Sequence, residues 1–591
     1  MKTSRIALLL LATAAAVTRG EAQSTRLDSL DAFVKAQMAE RRIPGVSLAI
    51  IQDGKIAVAR AYGVVDLTSK APVTTATLFQ AGSISKPVSA LGALHLVEAG
   101  KLSLDGDVND KLTSWKVPEN RFTATEKVTL RRLLSHNAGL TVHGFPGYDA
   151  AVALPTVVQV LDGTPPANTR PIRVDTTPGA IWRYSGGGYT VMQQMMIDVT
   201  GTPFPRYMQE TVLGPIGMAG SSFEQPLPPA RASLTAGGFY ADRTAVRGRW
   251  HLYPEMAAAG LWTTPSDLAR FAIEVQETYA GRGHGVISPA MARQYLTEQK
   301  GGSGLGVGVG GSGRSLRFGH GGRDEGFDAS LNAFAETGQG LVVMINANDN
   351  SRFMARLEGF VARAWGWPSG GAQDSPAAAT SSVAMTPGLL ARFAGYYEAA
   401  ENNMIALVPS SRGAGLQTLS DGLPDEELVP VDSITFRSSD RPFRIAFIVD
   451  PSGKANTVIL RPGDPRERRA PRVAPLPSTG SDVPDPDEKQ TERIKAALTA
   501  IDRGGSMLAE AADVTPGAKR DFQGGTGGAL ASLGSLSYRG QEDVTGRGIR
   551  RHGGEVARVK YYRIKTNTGE RFLLVHLTAD GMITDFDLVE R

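Results

Sequence analysis

The 591-residue sequence contains no cysteine. This absence excludes disulfide bonds, a thiol nucleophile, thiolate ligands for a metal ion and a lipid-modified N-terminal cysteine. The stability of the folded chain must therefore come from packing and hydrogen bonds. The length is more than a single hydrophobic core usually serves, which predicts several folding units.

An excess of charge of one sign is also lacking. Lysine and arginine number 63, aspartate and glutamate number 59, and the formal net charge is +4. The basic residues fall in short clusters rather than in one stripe, and the cluster at Arg466, Arg468, Arg469 and Arg472 is typical of a solvated surface. We therefore expect no nucleic acid among the partners of this chain.

Long hydrophobic runs are absent beyond the N-terminus. Two basic residues precede an apolar run from Ile6 to Val17, and Gly20 and Ala22 supply the small residues of a cleavage site. The run is too short for a membrane-spanning helix, which needs about 20 apolar residues, although a retained anchor is the alternative. Residues 1–22 are predicted to be a signal peptide. The mature chain is then exported, periplasmic or extracellular, with no stable membrane span.

Composition divides the rest of the chain. The segments 368–387 and 474–490 are rich in Pro, Ser, Gly, Ala or acidic residues and lack apolar periodicity, which is typical of linkers. They separate domains predicted at 23–367, 388–473 and 491–591. Short β-rich runs with turn residues between them predict a small β-barrel-like or sandwich domain in the middle. A helix followed by β-rich runs predicts a small α+β domain at the end.

The large domain begins and ends with recognisable elements. Apolar residues at helical spacing from Leu27 to Met38 precede two β-rich runs joined by Asp53-Gly54, a typical hairpin turn. Near its end, the apolar run Leu341 to Ile345 is followed by a predicted helix from about Ser351 to Trp365. Strands and helices from the two ends therefore flank a largely helical middle, which is an α+β arrangement.

Ser83-Ile84-Ser85-Lys86 is the one place in the chain where a lysine follows a serine by three positions, and it begins an apolar-periodic segment. Positions i and i+3 share a helix face, so the Lys86 ammonium can approach the Ser83 hydroxyl. The start of a helix also offers free N–H groups and the positive end of its dipole. The pattern predicts an activated serine nucleophile; a capping serine beside a solvated lysine is the alternative interpretation.

Four further segments accompany this motif in order along the chain. They are LLSHNAGL (Leu133 to Leu140), PGAIWRYSGGGY (Pro178 to Tyr189), GLWTTPSDL (Gly260 to Leu268) and GHGGRDEGF (Gly319 to Phe327). Together the five resemble, over about residues 27 to 366, the β-lactamase-related serine hydrolases closest to class C β-lactamases. That family includes penicillin-binding D,D-peptidases, D-aminopeptidases and esterases. The resemblance implies a β-lactamase/transpeptidase-like domain, with an antiparallel sheet flanked by helices and a helical subdomain.

The resemblance also implies catalytic roles. Ser83 looks like the acylated nucleophile, Lys86 like the charge that lowers its proton affinity, and Tyr184 like the base that takes the Ser83 proton and later activates water. The phenol of a tyrosine ordinarily has a pKa of about 10, so its action as a phenolate base requires a neighbouring cation that lowers this pKa.

A strand residue and backbone groups complete the implied site. His320 stands where the family often has the lysine of Lys-Thr-Gly, and Gly321 and Gly322 beside it are expected to let the strand approach substrate. The backbone N–H groups of Ser83 and Arg323 are implied to form the oxyanion hole.

One position departs from the family. The second motif is usually Tyr-x-Asn, whereas here the third position is Gly186, which contributes no amide to the substrate-binding cleft. Amide-bearing substrates such as penicillins then lose a hydrogen bond. We therefore expect hydrolysis of esters or small D-amino-acid peptides to be favoured over efficient β-lactam turnover. The substrate is a small molecule or a cell-wall peptide. The alternative function is a slowly turning-over penicillin-binding sensor or cell-wall adaptor.

No cofactor or metal ion is expected. The run Gly301 to Gly313 contains the G-x-G-x-x-G pattern, but a strand rather than a helix follows it, which favours a glycine-rich hairpin beside the active-site strand over nucleotide binding. His136 and His143 have no third ligand nearby, so structural hydrogen bonding is the favoured interpretation for both.

Overall fold

The structure is a computed structural model that divides into two compact units, Met1–Gln373 and Asp374–Arg591. The predicted signal peptide and most of the first predicted linker lie outside the described residues. The described residues are 24–240, 242–368, 383–400, 403–410, 415–420, 423–438, 443–464, 467–476, 483–523, 525, 530, 536–566 and 569–589.

The described part of the chain contains no helix with the length and hydrophobicity required to cross a membrane.

A six-stranded antiparallel sheet forms the centre of the first unit. It joins strands from both ends of the domain, because Val46 on the first strand pairs with Ile345 on the strand just before the last helix. In spatial order the strands are Lys55–Gly63, Gly45–Gln52, Gly340–Ile345, Phe327–Phe334, Arg317–Asp324 and Gly308–Gly310. The predicted hairpin at Asp53-Gly54 and the predicted glycine-rich hairpin are both present.

Both faces of this sheet are covered, so its central strands are apolar at consecutive positions rather than alternate ones. Leu48 and Ile50 pack with the helix at 24–41 and with Ser351–Trp365, while Ala49 and Ile51 belong to the core beneath the helical part of the domain. The terminal helices therefore cover one face, and the helical middle covers the other.

The helical middle supplies most of the larger core. Its helices are Ser85–Glu98, Leu130–Leu134, Val157–Asp162, Gly186–Thr200, Phe204–Met208, Gly214–Ile216, Pro229–Ala232, Met256–Ala259, Pro265–Tyr279 and Pro289–Tyr295, with a π-helical turn at Gln209–Leu213. Two-stranded pairs, Phe79–Gln80 with Trp262–Thr263 and Tyr148–Asp149 with His251–Leu252, connect distant parts of it. The predicted α+β fold class, with an antiparallel sheet flanked by helices and a helical subdomain, is confirmed.

A closed barrel of eight antiparallel strands begins the second unit, where the sequence predicts a small β-barrel-like domain. Tyr396 on its first strand pairs with Ala474 on its last, which closes the barrel. The strands are Gly395–Ala400, Asn403–Pro409, Leu416–Ser420, Leu423–Pro430, Thr435–Ser438, Arg444–Val449, Ala455–Leu460 and Arg468–Ala474.

The C-terminal part of the same unit is an antiparallel sheet packed against helices. Its main helix, Glu488–Arg503, begins inside the segment 474–490 that composition predicts as a linker, and the strand before it ends at Ala474. The sheet strands are Ser537–Asp543, Arg558–Thr566, Gly569–Leu577 and Ile583–Val589, and shorter helices are Gly505–Glu510 and Pro516–Asp521.

Barrel and C-terminal sheet share a core. Tyr396 and Val473 of the barrel pack with Val544 and Leu574 of the sheet region. Beside this apolar contact, the buried Arg551 donates to Glu398 of the barrel at 2.7 Å and to Asp585 of the sheet at 2.9 Å. The two folds are therefore held together by both apolar packing and buried ion pairs.

Candidate active site

Ser83 lies in the single 3-10 turn Gly82–Ile84, directly before the helix Ser85–Glu98. The turn needs its glycine: Gly82 has φ +50°, and a Cβ there would lie 2.4 Å from the backbone nitrogen of Arg323. Only glycine adopts this conformation without strain and also leaves room for the strand. The Arg323 backbone, a predicted oxyanion group, is thereby brought against the residue preceding Ser83.

The structure brings Lys86 and Ser83 together. Lys86 is 2% exposed, and its ammonium donates to the Ser83 hydroxyl and to the Ala258 carbonyl, each at 2.8 Å. Ala258 belongs to the helix Met256–Ala259, which packs against the helix that carries Lys86. Both partners of this buried cation are therefore neutral oxygens, and one of them is the predicted nucleophile.

Tyr184 is positioned by the start of the helix Gly186–Thr200. The next residue, Ser185, is the N-cap of this helix; its hydroxyl accepts the Gly188 N–H at 3.1 Å and donates to the Thr141 carbonyl at 2.9 Å. This anchoring holds the Tyr184 ring 5.0 Å from the Lys86 nitrogen, a cation–π distance. Ser83, Lys86 and Tyr184 thus converge from two helix starts about 100 residues apart.

The His136 ring packs against the Tyr184 ring. This role could not be predicted from the position of His136 in the Leu133 to Leu140 motif. Its ring lies 4.2 Å from the Tyr184 ring, and its Nδ1 accepts the Ser185 N–H at 3.2 Å. Its φ is +57°, a conformation that a non-glycine residue rarely adopts. Burial and the neighbouring Lys86 lower the pKa of His136 well below its usual range, so the ring is neutral.

His320 forms the opposite wall on the strand Arg317–Asp324. Its ring centroid is 6.0 Å from that of Tyr184, and its Nδ1 contacts the Gly321 carbonyl. Burial, with the Lys86 charge, lowers the pKa of His320 to about 4, so it carries no charge at neutral pH. The family's lysine at this position is therefore replaced here by a neutral ring.

The glycines of the site differ from one another. A side chain at Gly321 would meet nothing within 4 Å, so this position opens onto free space. A Cβ at Gly322 would lie 2.0 Å from the Ala81 carbonyl oxygen, so this glycine lets the strand pack against the turn that carries Ser83. The structure thus shows a packing role for Gly322, and the expected approach of its backbone to substrate stays a prediction.

Gly186 also differs from expectation. It is buried as the first residue of the helix Gly186–Thr200, and its N–H donates to the His143 carbonyl at 3.0 Å. A Cβ there would lie 3.0 Å from the Phe145 ring and 3.1 Å from the His143 carbonyl oxygen. The missing side chain is thus replaced by a loop that fills its place, so Gly186 itself does not line an open cleft.

Two buried carboxyl groups in this part of the domain were not found from the sequence, and one of them, Asp324, is acted on by the Lys86 charge. Asp324 ends the strand that carries His320 and accepts the Gly82 backbone N–H; Glu255 is the N-cap residue before the helix that contains Ala258. Burial raises the pKa of Asp324 well above its usual range and that of Glu255 to about 8. No local pattern marks them, because the groups that surround them come from distant parts of the chain.

Within the described ranges, no three His, Asp or Glu residues are arranged to hold a metal ion. The Gly301 to Gly313 run forms the strand Gly308–Gly310 and its turns. A single 3-10 turn, Gly313–Ser315, and the strand Arg317–Asp324 follow it, rather than the α-helix whose start would receive a phosphate.

A serine held by a buried lysine at a helix start, facing a tyrosine and a glycine-rich strand, defines the serine hydrolases of the β-lactamase fold. The chain belongs to this family. The family model named Beta-lactamase matches residues 30–364, more than half of the chain.

Individual relatives are distant. The chain is 26% identical to penicillin-binding protein 4 of Amycolatopsis lactamdurans over 44% of its own length, and 29% identical to esterase EstB of Burkholderia gladioli over 34%. These matches span 66% and 52% of the relatives, less than two thirds of their lengths. A penicillin-binding protein homologue from Pyrococcus abyssi superimposes with a TM-score of 0.51 and 21% identity, covering 75% of this chain and 99% of the other. That likeness concerns the fold.

Proposed function

We propose that the chain is an exported serine hydrolase that forms an acyl-enzyme at Ser83 and favours esters or small D-amino-acid peptides over efficient β-lactam turnover. The observation that carries the proposal is the 2.8 Å contact between the Lys86 ammonium and the Ser83 hydroxyl, with the Tyr184 ring 5.0 Å from the same nitrogen. A nucleophile, a charge that favours its anion and a base stand within one cleft.

In the proposed acylation, the Ser83 oxygen attacks the substrate carbonyl carbon while its proton passes to the Tyr184 phenolate. Lys86 stabilises the developing negative charge, because its two neutral partners leave its own charge uncompensated. The backbone N–H groups of Ser83 and Arg323 receive the oxyanion. Tyr184 then gives the proton to the leaving group, and the carbon–leaving group bond breaks.

In the proposed deacylation, Tyr184 takes a proton from water, and the resulting hydroxide attacks the acyl carbon. The bond to Ser83 breaks, and the proton returns to the Ser83 oxygen. Neither step requires a metal ion or cofactor.

The preference for esters rests on the surroundings of Gly186. No amide side chain is present there, and the Phe145 ring and the His143 carbonyl take up the adjacent space. A substrate amide therefore lacks the hydrogen-bond partner that the family's asparagine would offer, whereas an ester has no N–H to leave unpaired.

The test is intact-mass spectrometry of the mature protein and of Ser83→Ala after exposure to a fluorophosphonate and, separately, to a penicillin, together with phenyl acetate and nitrocefin hydrolysis. We expect one fluorophosphonate adduct on the wild type only, and faster ester than nitrocefin turnover. Equal labelling of Ser83→Ala would remove Ser83 from the mechanism. A persistent penicillin adduct with negligible turnover of either substrate would favour the penicillin-binding sensor.

Export is a separate part of this proposal and rests on the basic, apolar and small-residue pattern of residues 1–22. N-terminal sequencing of the protein secreted by an expressing bacterium tests it: a mature chain that begins near residue 23 supports export, and an intact Met1 in the cytoplasm contradicts it.

A further inference from the structure

A small cavity lies beside Tyr184 and His320, and the proposed mechanism gives no role to the other residues that line it. Its volume is about 260 Å³, below the range of roughly 300–1,000 Å³ typical of sites for drug-sized ligands. Leu134, Trp182 and Val307 supply its apolar walls, and glycines supply much of the rest. It has room for one small group rather than for a whole substrate.

Trp182 is the principal wall and is fixed although it is exposed. Its side chain is 42% exposed, yet its indole N–H donates to the Ser303 hydroxyl at 2.9 Å. The ring packs against Gly301, where φ is +61° and a Cβ would lie 2.7 Å from the indole. A large aromatic face that is both held in place and open to solvent is available for stacking by a ligand.

The cavity is electrically neutral. None of its lining residues, all of which belong to the described part of the chain, is Asp, Glu, Lys or Arg. Its two histidines, His136 and His320, have pKa values lowered by burial and by Lys86. A charged group placed here would lose its hydration and find no side chain of opposite charge in the cavity wall, which is unfavourable. The Lys86 ammonium is not part of this wall: it lies 5.0 Å from the Tyr184 ring and donates to Ser83 and Ala258.

The position of the cavity next to Tyr184 indicates which part of the substrate would occupy it. Tyr184 borders the cavity, and in the proposed mechanism Tyr184 protonates the leaving group. The group that accepts this proton must be next to Tyr184, so the remainder of the leaving group extends into the space beyond it.

We infer that this cavity is a leaving-group subsite that accepts an uncharged, apolar alcohol, with Trp182 as the specificity-determining residue against which an aromatic leaving group stacks. The inference rests on the proposed function and adds the substrate class: esters of neutral phenols or similar flat alcohols.

The experiment compares acetate esters, because they all form the same acetyl-enzyme and differ only in the leaving group. Phenyl acetate, 4-acetoxybenzamide, its anionic counterpart 4-acetoxybenzoate and ethyl acetate are hydrolysed by the wild type, Trp182→Ala and Trp182→Phe. The control variant is Ile181→Ala, since Ile181 is 45% exposed and does not line the cavity.

We expect Trp182→Ala to lower kcat/KM for the aryl acetates about tenfold, in line with the loss of one stacking contact, and to change ethyl acetate less than threefold. Trp182→Phe should recover most of the loss, and Ile181→Ala should resemble the wild type. The wild type should prefer the benzamide to the benzoate about tenfold or more. The deacylation rate of the acetyl-enzyme should be unchanged in all variants.

Other outcomes overturn the inference and leave the proposed function standing. An equal loss on aryl and ethyl acetates, or slower deacylation, would mean that Trp182 only supports Tyr184. Equal use of the benzamide and the benzoate would exclude a neutral subsite. If Trp182→Ala lowered kcat/KM for methyl benzoate but not for methyl acetate, the variant's effect would depend on the acyl group. The cavity would then belong to the acyl side of the substrate. The proposed function fails separately, if Ser83→Ala keeps ester turnover.

Discussion

Lys86 in the first unit and Arg551 in the second are both buried cations, but their surroundings are opposite. Lys86 contacts a hydroxyl and a backbone carbonyl. Arg551, 1% exposed, contacts the carboxylates of Glu398 and Asp585 at 2.7 and 2.9 Å, with Asp587 at 3.5 Å. Lys86 thus contacts neutral oxygens, and burial favours the neutral form of the nearby Asp324 carboxyl, whereas Arg551 is surrounded by carboxylates.

The pKa shifts of the neighbouring histidines reflect this difference in the charge around Lys86 and Arg551. Beside Lys86, the pKa values of His136 and His320 are lowered by burial and by the lysine. Near Arg551, hydrogen bonds to Asp585 and Asp521 raise the pKa of His552. An uncompensated cation acts on whatever enters the cleft, as catalysis requires, whereas a compensated one serves to hold folded elements together.

The largest expected effect is on the reaction. Lys86→Met removes the charge and keeps the length of the side chain, and we expect kcat/KM for phenyl acetate to fall about 10³–10⁴-fold because Ser83 loses its activating partner. Stability should be unchanged or higher, since a buried cation without a counter-ion is costly. Steady-state kinetics measures kcat/KM, and urea denaturation measures the free energy of unfolding. Activity above a tenth of the wild-type value would contradict the role of Lys86.

The corresponding change in the second unit should act on stability. Arg551→Met removes the buried cation that contacts three carboxylates, and we expect the second unit to lose about 3–5 kcal/mol with kcat/KM unchanged. Hydrogen exchange of peptides from the barrel and the C-terminal sheet measures this loss in the full chain. The control is Arg550→Met, whose side chain is exposed and donates to the Gly553 carbonyl. Equal protection in the two variants would contradict a structural role for Arg551.

Glu255 should give the first unit a characteristic pH dependence. Its pKa is about 8 when folded, against about 4.5 in an unfolded chain. The folded state therefore holds a proton that the unfolded state has lost, so stability falls as the pH rises from about 4.5 to 8, by up to about 1.4 kcal/mol per pH unit. Glu255→Gln should remove this contribution and gain stability relative to the wild type as the pH rises.

Urea denaturation at pH 5 and pH 8 measures the Glu255 effect. Glu336→Gln, at an exposed position after the strand Phe327–Phe334, is the control and should follow the wild type at both values. A Glu255→Gln curve parallel to the wild type would show that the carboxyl does not hold its proton in the folded state.

The smallest expected effect is the pH dependence that His552 gives to the stability of the second unit. Because the pKa of His552 is raised in the folded state, this stability falls as the pH rises. The stability that its protonated form contributes is fully present below about pH 6.5 and is lost as the pH rises through the higher folded-state value. We expect the second unit to lose stability over this rise, by less than the roughly 1.5–3 kcal/mol of a buried hydrogen bond to a charged group, because His552 is only partly buried and solvent screens its charge. His552→Gln should show no such loss by hydrogen exchange at matched pH. The same loss in the variant would assign it to another group.

The elements predicted well from the sequence are those whose signal is local. The hairpin at Asp53-Gly54 and the helix Ser351–Trp365 follow from turn chemistry and helical spacing alone. Three barrel strands, Leu416–Ser420, Leu423–Pro430 and Arg468–Ala474, were not predicted. The last two contain prolines and several charged residues, which are depleted in strands, and the first is only five residues long. Closure of the barrel, through Tyr396 and Ala474, joins residues that no local pattern connects.

The sequence alone determined the pairing of Ser83 with Lys86, because a spacing of three on a helix places two side chains on one face whatever surrounds them. The tertiary structure alone decided that Lys86 lacks a counter-ion, that His136 supports Tyr184 and that Trp182 lines a neutral cavity. Those properties depend on burial and on partners 49 to 172 positions away in the chain. Charge compensation and dielectric surroundings belong to the packed molecule, and local spacing carries no information about them.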